Sequence, residues 1–270
     1  MRWLHLAFTL AAVLWACEPA STPPALDPVP PVTDAHRLHL AGDEAATPLF
    51  RHLADHFSAR RPGPPVVVES PLGARGALRA LEDAAIDAAL IVTPYGGLAG
   101  VPDGQGIPIA VTRVTLVTGA ASSFRQIAPD ALQGLLRGES PADGTTRTLL
   151  LAGADDPAQR ALAQVSPALE AAFDEAVSTR RWPVFFEGQA LRDAVRRTPG
   201  ALAVTDTGTL RMLAMPLWQV RVTPAPGYDD RLVLRLAVPG SPRPRLVEFI
   251  EFLRGPEGQA LIADVGYALP

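Results

Sequence analysis

The run from Ile86 to Val92 (IDAALIV) is apolar almost throughout, and a strand of that kind must be covered on both faces. It demands helices above and below, which makes the chain an α/β protein. The flanking sequence supplies them. Leu38–Ala41 reads as a short strand. Thr47 and Pro48 give an N-cap and a first-turn proline. Leu49, Leu53 and Phe57 then recur at i, i+4 and i+8, the buried stripe of a helix. Val66–Glu69 is the next strand, and Gly76–Leu81 opens a second helix. Strand, helix, strand, helix and strand between residues 38 and 92 imply parallel pairing with right-handed crossovers.

Residues 107–118 (IPIAVTRVTLVT) form a long β-rich segment with no helix after it until Pro129. A second alternating block follows: helix 129–137, strand 148–152, helices from Pro157 to Val177 broken at Pro167, strand 183–186, helix 189–197 and strand 201–204. Strands near 217–223 and 231–238 come next. An amphipathic helix with Leu246, Phe249, Ile250 and Leu253 and a shorter one from Pro256 to Val265 close the chain. No repeat of solenoid or propeller period is present. With 270 residues, 48% of them hydrophobic, the chain has material for a sizeable core.

The N-terminus has a different character. One positive side chain, Arg2, precedes an apolar run from Leu6 to Leu14 that is too short to span a bilayer and suits the core of a signal peptide. Leu14-Trp15-Ala16-Cys17 resembles the lipobox of bacterial lipoproteins. That resemblance implies removal of residues 1–16 and lipid on Cys17, which would anchor the protein without a transmembrane helix; the alternative is a secretory signal containing a stray Cys. From Glu18 to Val32 the chain has six prolines (EPASTPPALDPVPPV) and reads as an extended tether, residues 17–35, leaving the folded part to begin near His36. The expected location is the bacterial envelope, on the periplasmic face. Glu18, in place of the Asp associated with inner-membrane retention, leans towards the outer membrane.

Composition narrows the function. The net charge of −4, from 24 basic and 28 acidic residues, forms no basic field for nucleic acid. Every basic residue is Arg, and the absence of Lys excludes Schiff-base chemistry and a P-loop lysine. A single Cys excludes a disulfide framework and a Cys-based metal cluster. No nucleophile elbow or metalloprotease motif occurs. His52 and His56 share a helix face, as metal ligands can, but no recognised motif surrounds them and a solvated face explains them better. The expectation is a protein that is not an enzyme and carries no cofactor or metal.

Several segments, in order, resemble the type II periplasmic binding proteins, and among them the phosphate-binding components of ABC importers. They are 40–49 (LAGDEAATPL), 70–78 (SPLGARGAL), 85–89 (AIDAA), 107–111 (IPIAV), 131–138 (ALQGLLRG), 198–203 (TPGALA) and, most specifically, 249–258 (FIEFLRGPEG) through Gly266-Tyr267. The resemblance covers residues 36–270. It implies an α/β fold of two lobes with a ligand cleft between them: 36–110 with 216–270 as one lobe, 111–215 as the other. It also implies a small solute, phosphate or another anion, and an ABC permease as partner. Helix starts facing the cleft would offer N–H groups to an anion.

Carried onto this chain, the resemblance places ligand contacts at Asp43, Glu44 and Thr47 in the first loop and at Gly73, Ala74, Arg75 and Gly76 in the second. Asp87, Thr93, Thr205 and Thr207 complete the set. Several depart from the family pattern. Asp43 and Ala45 stand where the family offers Ser and Thr, and Asp43 and Glu44 bring negative charge to an anion's place, unless they serve the helix that follows. Arg75 is either a charged fork or a solvated side chain. Asp87 either accepts a proton from bound hydrogen phosphate or caps a strand edge. The three threonines are cleft hydroxyls or satisfy local backbone. In the second block, 151–157 (LAGADDP) lacks the family's Arg and hydroxyls, and Asp156 reads as an N-cap. The eroded constellation leaves two functions open: a binding protein with an altered ligand, or an envelope lipoprotein that keeps the fold as an interaction scaffold.

Overall fold

The computed structural model describes residues 37–95, 106–141, 145–223 and 228–270. The expected signal peptide, Cys17, the tether and His36 lie outside them. β1 (Leu38–Gly42), β2 (Val66–Val68) and β3 (Ala88–Pro94) pair in parallel in the order β2-β1-β3. β3 is buried along its whole length. Its Leu90 and Val92 join the core under α1 (Thr47–Arg60), whereas Ala89 and Ile91 pack with Ala74 and Ala77 of α2 (Gly73–Glu82). The unbroken apolar run is thus the signature of a strand sandwiched between two helices.

Beyond β3 the sheet turns antiparallel, which the alternation of strand and helix did not disclose. β4 (Ile107–Gly119) is thirteen residues long. Its first half lies against β11 (Arg231–Ala237), which pairs with β3 on its other side. Its second half lies between β9 (Ala201–Asp206) and β10 (Leu217–Val222). One strand therefore runs through both parts of a nine-stranded sheet. β10, which the sequence reading grouped with the first lobe, is hydrogen-bonded to the later half of β4 and to β5 (Gln126–Ile127).

The predicted strand 148–152 is two short strands in different sheets. β6 (Thr148–Leu149) pairs with β9, and β7 (Leu151–Ala152) pairs with β8 (Val184–Phe185). A hydrogen bond from Leu150 N to Leu202 O lies at the switch.

Helices α3 (Pro129–Leu136), α4 (Pro157–Ala163) and α5 (Pro167–Ser178) all open with proline, as do α8 (Pro244–Arg254) and α9 (Pro256–Asp264). Proline fits the first turn because that N–H has no intrahelical partner to lose. α6 (Gly188–Arg197) and the short α7 (Thr207–Met212) complete the set. α1 begins at Thr47 itself, with Ala46 as its cap. The Thr47 hydroxyl donates back to Asp43 O at 3.2 Å and does not cap the helix.

The terminal helices seal the first core. Phe249 and Phe252 sit 5.1 and 5.3 Å, ring to ring, from Phe57 of α1, all fully enclosed. Burial of each such ring contributes about 1.5–3 kcal/mol. His56 is held by Glu257 of α9 at 3.2 Å. Among the described residues no helix is long and apolar enough to cross a membrane.

Candidate functional site

The C-terminal end of β1 delivers Asp43 and Glu44 to a cleft of about 520 Å³, whose other walls are the 71–73, 152–157 and 185–191 segments. A second hollow of about 420 Å³ shares Asp43, Leu72, Gly73 and Asp155 with it and extends along Arg75, Gly76 and Arg160. Helix starts border this space, as the strand–helix connections require: α2 at Gly73, α4 at Pro157 and α6 at Gly188.

Two of these helix starts, those of α4 and α6, are hydrogen-bonded by a carboxylate of the chain, and Asp43 stands beside the third. Asp43 is 5% exposed and accepts the Val92 N–H of β3 at 2.7 Å, with the Ala74 N–H in the first turn of α2 nearby lowering its pKa. Burial outweighs those hydrogen bonds and pushes its carboxyl up to about 7, with Asp156 and Asp155 adding repulsion. Asp156 caps α4 through the Gln159 N–H at 2.8 Å, as its position before Pro157 predicts. Burial raises it to about 6, with Asp206 and Glu44 as further negative neighbours. Glu44 reaches across to α6, accepting from Gly188 N at 2.6 Å and from Arg192 Nη2 at 3.1 Å.

Nearby, Asp206 caps α7 through Thr209 N at 2.8 Å and accepts the Thr112 hydroxyl at 3.2 Å. Its pKa is raised by burial and partly restrained by these hydrogen bonds and by Arg192.

Of the residues expected at a ligand, Asp43, Glu44, Gly73, Ala74, Arg75 and Gly76 do come together at these two hollows. Arg75 is two-thirds exposed and stands 3.7 Å from Asp155 on the opposite wall, a weak ion pair across the opening. Thr47 is turned inward onto Asp43 O. Thr93 and Thr205 are buried within β3 and β9 and line neither hollow. Thr207, the first residue of α7, bonds the Thr112 hydroxyl at 3.2 Å and lines a separate cavity with Arg113 and Arg221.

Asp87 belongs elsewhere. It precedes β3, at the end of the strands opposite the cleft, where its carboxylate accepts from His39 N at 2.8 Å and Arg243 Nη1 at 3.0 Å. Of its two readings the structure supports the strand-edge cap. Arg192, Gly188 and Asp206 were not foreseen. The one local signal is that Arg192 stands four residues after Gly188, on the same face of α6 as the helix start.

The charge balance is unlike that of an anion trap. Among the described residues lining the larger hollow, Asp43, Glu44, Asp155 and Asp156 are acidic and none is basic. Two large apolar side chains, Leu72 and Phe186, also line it while standing exposed at 51% and 87%.

One long strand threads a mixed sheet, with a cleft at the strand ends and helix starts around it. The chain belongs to the PBP superfamily: a family model described as a PBP superfamily domain matches residues 21–230. The fold is that of the periplasmic binding proteins, type II. A putative phosphate ABC transporter substrate-binding protein with bound phosphate from Clostridium perfringens superposes with a TM-score of 0.70 at 12% identity, over 87% of this chain and 99% of that one. An ABC-type phosphate transport receptor from Vibrio cholerae gives 0.61 at 14%, over 87% and 100%. The periplasmic molybdate-binding protein of Azotobacter vinelandii gives 0.60 at 15%, over 87% and 100%. No curated protein matches the sequence.

Proposed function

We propose that the chain is an extracytoplasmic solute-binding lipoprotein of the ABC-importer type whose solute is not the phosphate dianion. The supporting observation is that the N–H groups of Gly188 and Gln159, donors an anion would need, are already engaged by Glu44 and Asp156, while the buried Asp43 carboxyl stands beside the start of α2. An incoming dianion must displace carboxylates or sit beside them, and each close like charge costs about 1 kcal/mol in water and about 4 kcal/mol in a half-buried site. In this reading the two parts of the sheet joined by the long β4 act as lobes, with β10 on the side of β5 and β9, and an ABC permease receives the solute.

Titration calorimetry at pH 7.5 with phosphate, sulfate and molybdate, and with neutral and cationic solutes, tests the reading. Phosphate is expected to bind no tighter than about 1 mM, about −4 kcal/mol. Micromolar phosphate affinity would refute it. The grip of Glu44 on α6 favours a second reading, a scaffold that retains the fold without a solute. Saturable binding of any solute in the panel decides against that one.

The lipid anchor is a separate expectation. Cys17, after an apolar run and before a proline-rich tether, is the proposed lipidation site, with the envelope, leaning to the outer membrane, as the location. Cys17→Ser should move the protein from the membrane fraction to the soluble fraction. Retention of the variant on membranes would remove the anchor from the proposal.

A further inference from the structure

We infer that the start of α6 and Arg192 form an oxyanion site that Glu44 fills in cis, so that this side chain acts as a tethered ligand of the cleft. The inference rests on the solute-binding reading for the identity of the cleft and concerns Gly188 and Arg192, neither of which was an expected contact. Three observations carry it. First, the Glu44 carboxylate is bound as a free anion would be, by a helix-start N–H (Gly188, 2.6 Å) and a guanidinium (Arg192 Nη2, 3.1 Å).

Second, the donors outnumber what Glu44 uses. Arg192 is only 7% exposed, and its Nε is enclosed without a hydrogen-bond partner. A buried guanidinium group left short of acceptors is costly, and a small anion free to turn in the site can present an oxygen to Nε that the tethered carboxylate does not. Third, the approach depends on a missing side chain. A Cβ on Gly188 would stand 2.8 Å from both Glu44 Oε1 and Arg192 Nη1. The helix start is bare at the point where the oxygen sits.

The chemistry of the site is that of a compact monoanion or hydrogen-bonded oxyanion of carboxylate or tetrahedral type. Asp206 already offsets part of the Arg192 charge, so the pocket has capacity for about one negative charge, and Glu44 supplies it. Because Glu44 leaves β1 while Arg192 belongs to α6, the same contact holds two walls of the cleft together in the absence of solute.

Removal of the tethered carboxylate tests this. Glu44→Ala is expected to melt below the wild type and to regain stability saturably with formate, acetate or phosphate. Its calorimetric affinity for the best of these should exceed that of the wild type at least tenfold, a factor worth about 1.4 kcal/mol. Chloride at equal ionic strength should give no comparable gain, and Glu44→Ala with Arg192→Met should lose it. The inference is overturned if Glu44→Ala responds to these anions no more than the wild type, or if the double variant responds equally.

Should Glu44→Ala fail to fold, refolding yield in formate is the readout. A chain that stays unfolded with and without the anion also overturns the inference, in favour of a purely structural ion pair. The outcome is separable from that of the solute screen on the wild type. Anion rescue of Glu44→Ala without any wild-type solute keeps the site and removes the importer reading, and a wild-type solute without rescue does the reverse.

Discussion

Asp43→Asn is expected to stabilise the protein at pH 8 and to leave it about as stable as the wild type at pH 4.5, so that its advantage grows with pH. The Asp43 carboxyl titrates near 7 in the folded chain against 3.8 for the free side chain, because burial costs the charged form more than the Val92 and Ala74 N–H groups return. Between those values the folded state holds a proton that the unfolded state has lost. Unfolding free energy therefore falls as pH rises through that window, and the full loss is in place above it. Each unit corresponds to about 1.4 kcal/mol, a few kcal/mol in all. Asp156, raised to about 6, adds a smaller loss between about 4 and 6.

Asn imitates the protonated acid and removes that ionisation cost. Its carbonyl can accept the Val92 N–H, but its buried NH2 group needs an acceptor that a carboxylate oxygen did not, which costs about 1 kcal/mol at every pH. The balance favours the variant by about 1–3 kcal/mol at pH 8 and leaves the two about equal at pH 4.5, where the unfolded carboxyl is already mostly ionised. Thermal melts across pH 4.5–8.5 show this as a rising difference in Tm of about 2–4 °C per kcal/mol. A variant less stable than wild type at both ends would mean that the Asp43 carboxylate is a net stabiliser at neutral pH, contrary to its burial.

How far the sequence disclosed this arrangement depends on the range of the interaction. β3 was legible because burial on both faces leaves an unbroken apolar run, α1, α3, α4, α5 and α9 because proline marks their first turns, and α8 because Leu246, Phe249, Ile250 and Leu253 recur at helical spacing. The Asp156 cap was legible for the same reason, since donor and acceptor are three residues apart. α7 and β5 were not, for six residues and two residues carry no periodicity to detect. Nor was the place of β11 between β3 and β4, because pairing between segments so far apart in the chain leaves no local trace.

The site divides along the same line. The resemblance to binding proteins put Asp43 and Glu44 among the ligand contacts, both do line the cleft, and their negative charge was read as hostile to an anion. Their partners, Val92 and Gly188, lie 49 and 144 residues away in sequence. Only the folded chain shows that these carboxylates meet the donors an anion would use. Asp87 misled for the converse reason. It follows a helix and precedes a strand, a position compatible with a ligand, but the parallel direction of β1 and β3 puts it at the end of the sheet away from the cleft.

Gly42→Ala should be the most damaging single methyl group in this region. Gly42 ends β1 opposite Leu90 of β3, and a Cβ there would stand 1.9 Å from Leu90 O and 2.6 Å from its carbonyl carbon. The obstruction is backbone in a strand flanked on both sides, by β1 and by β11, so no side-chain rotation relieves it. Relief requires β1 to move off β3. That would break the Asp43 N to Leu90 O bond at 2.9 Å and draw the Asp43 carboxylate from Val92 N. The strand pair and the floor of the cleft are lost by the same displacement. The cost belongs with the severe overpacking cases, about 3–5 kcal/mol, or a fall in Tm of about 6–20 °C. Gly240 is the control, since a Cβ there meets nothing within 4 Å and its backbone angle is ordinary. Gly240→Ala is expected to change stability by less than about 1 kcal/mol, with a slight gain from a less flexible unfolded chain. If the two variants melt together, the contact between β1 and β3 is looser than the geometry of Leu90 requires, and the rigid floor argued for Asp43 goes with it.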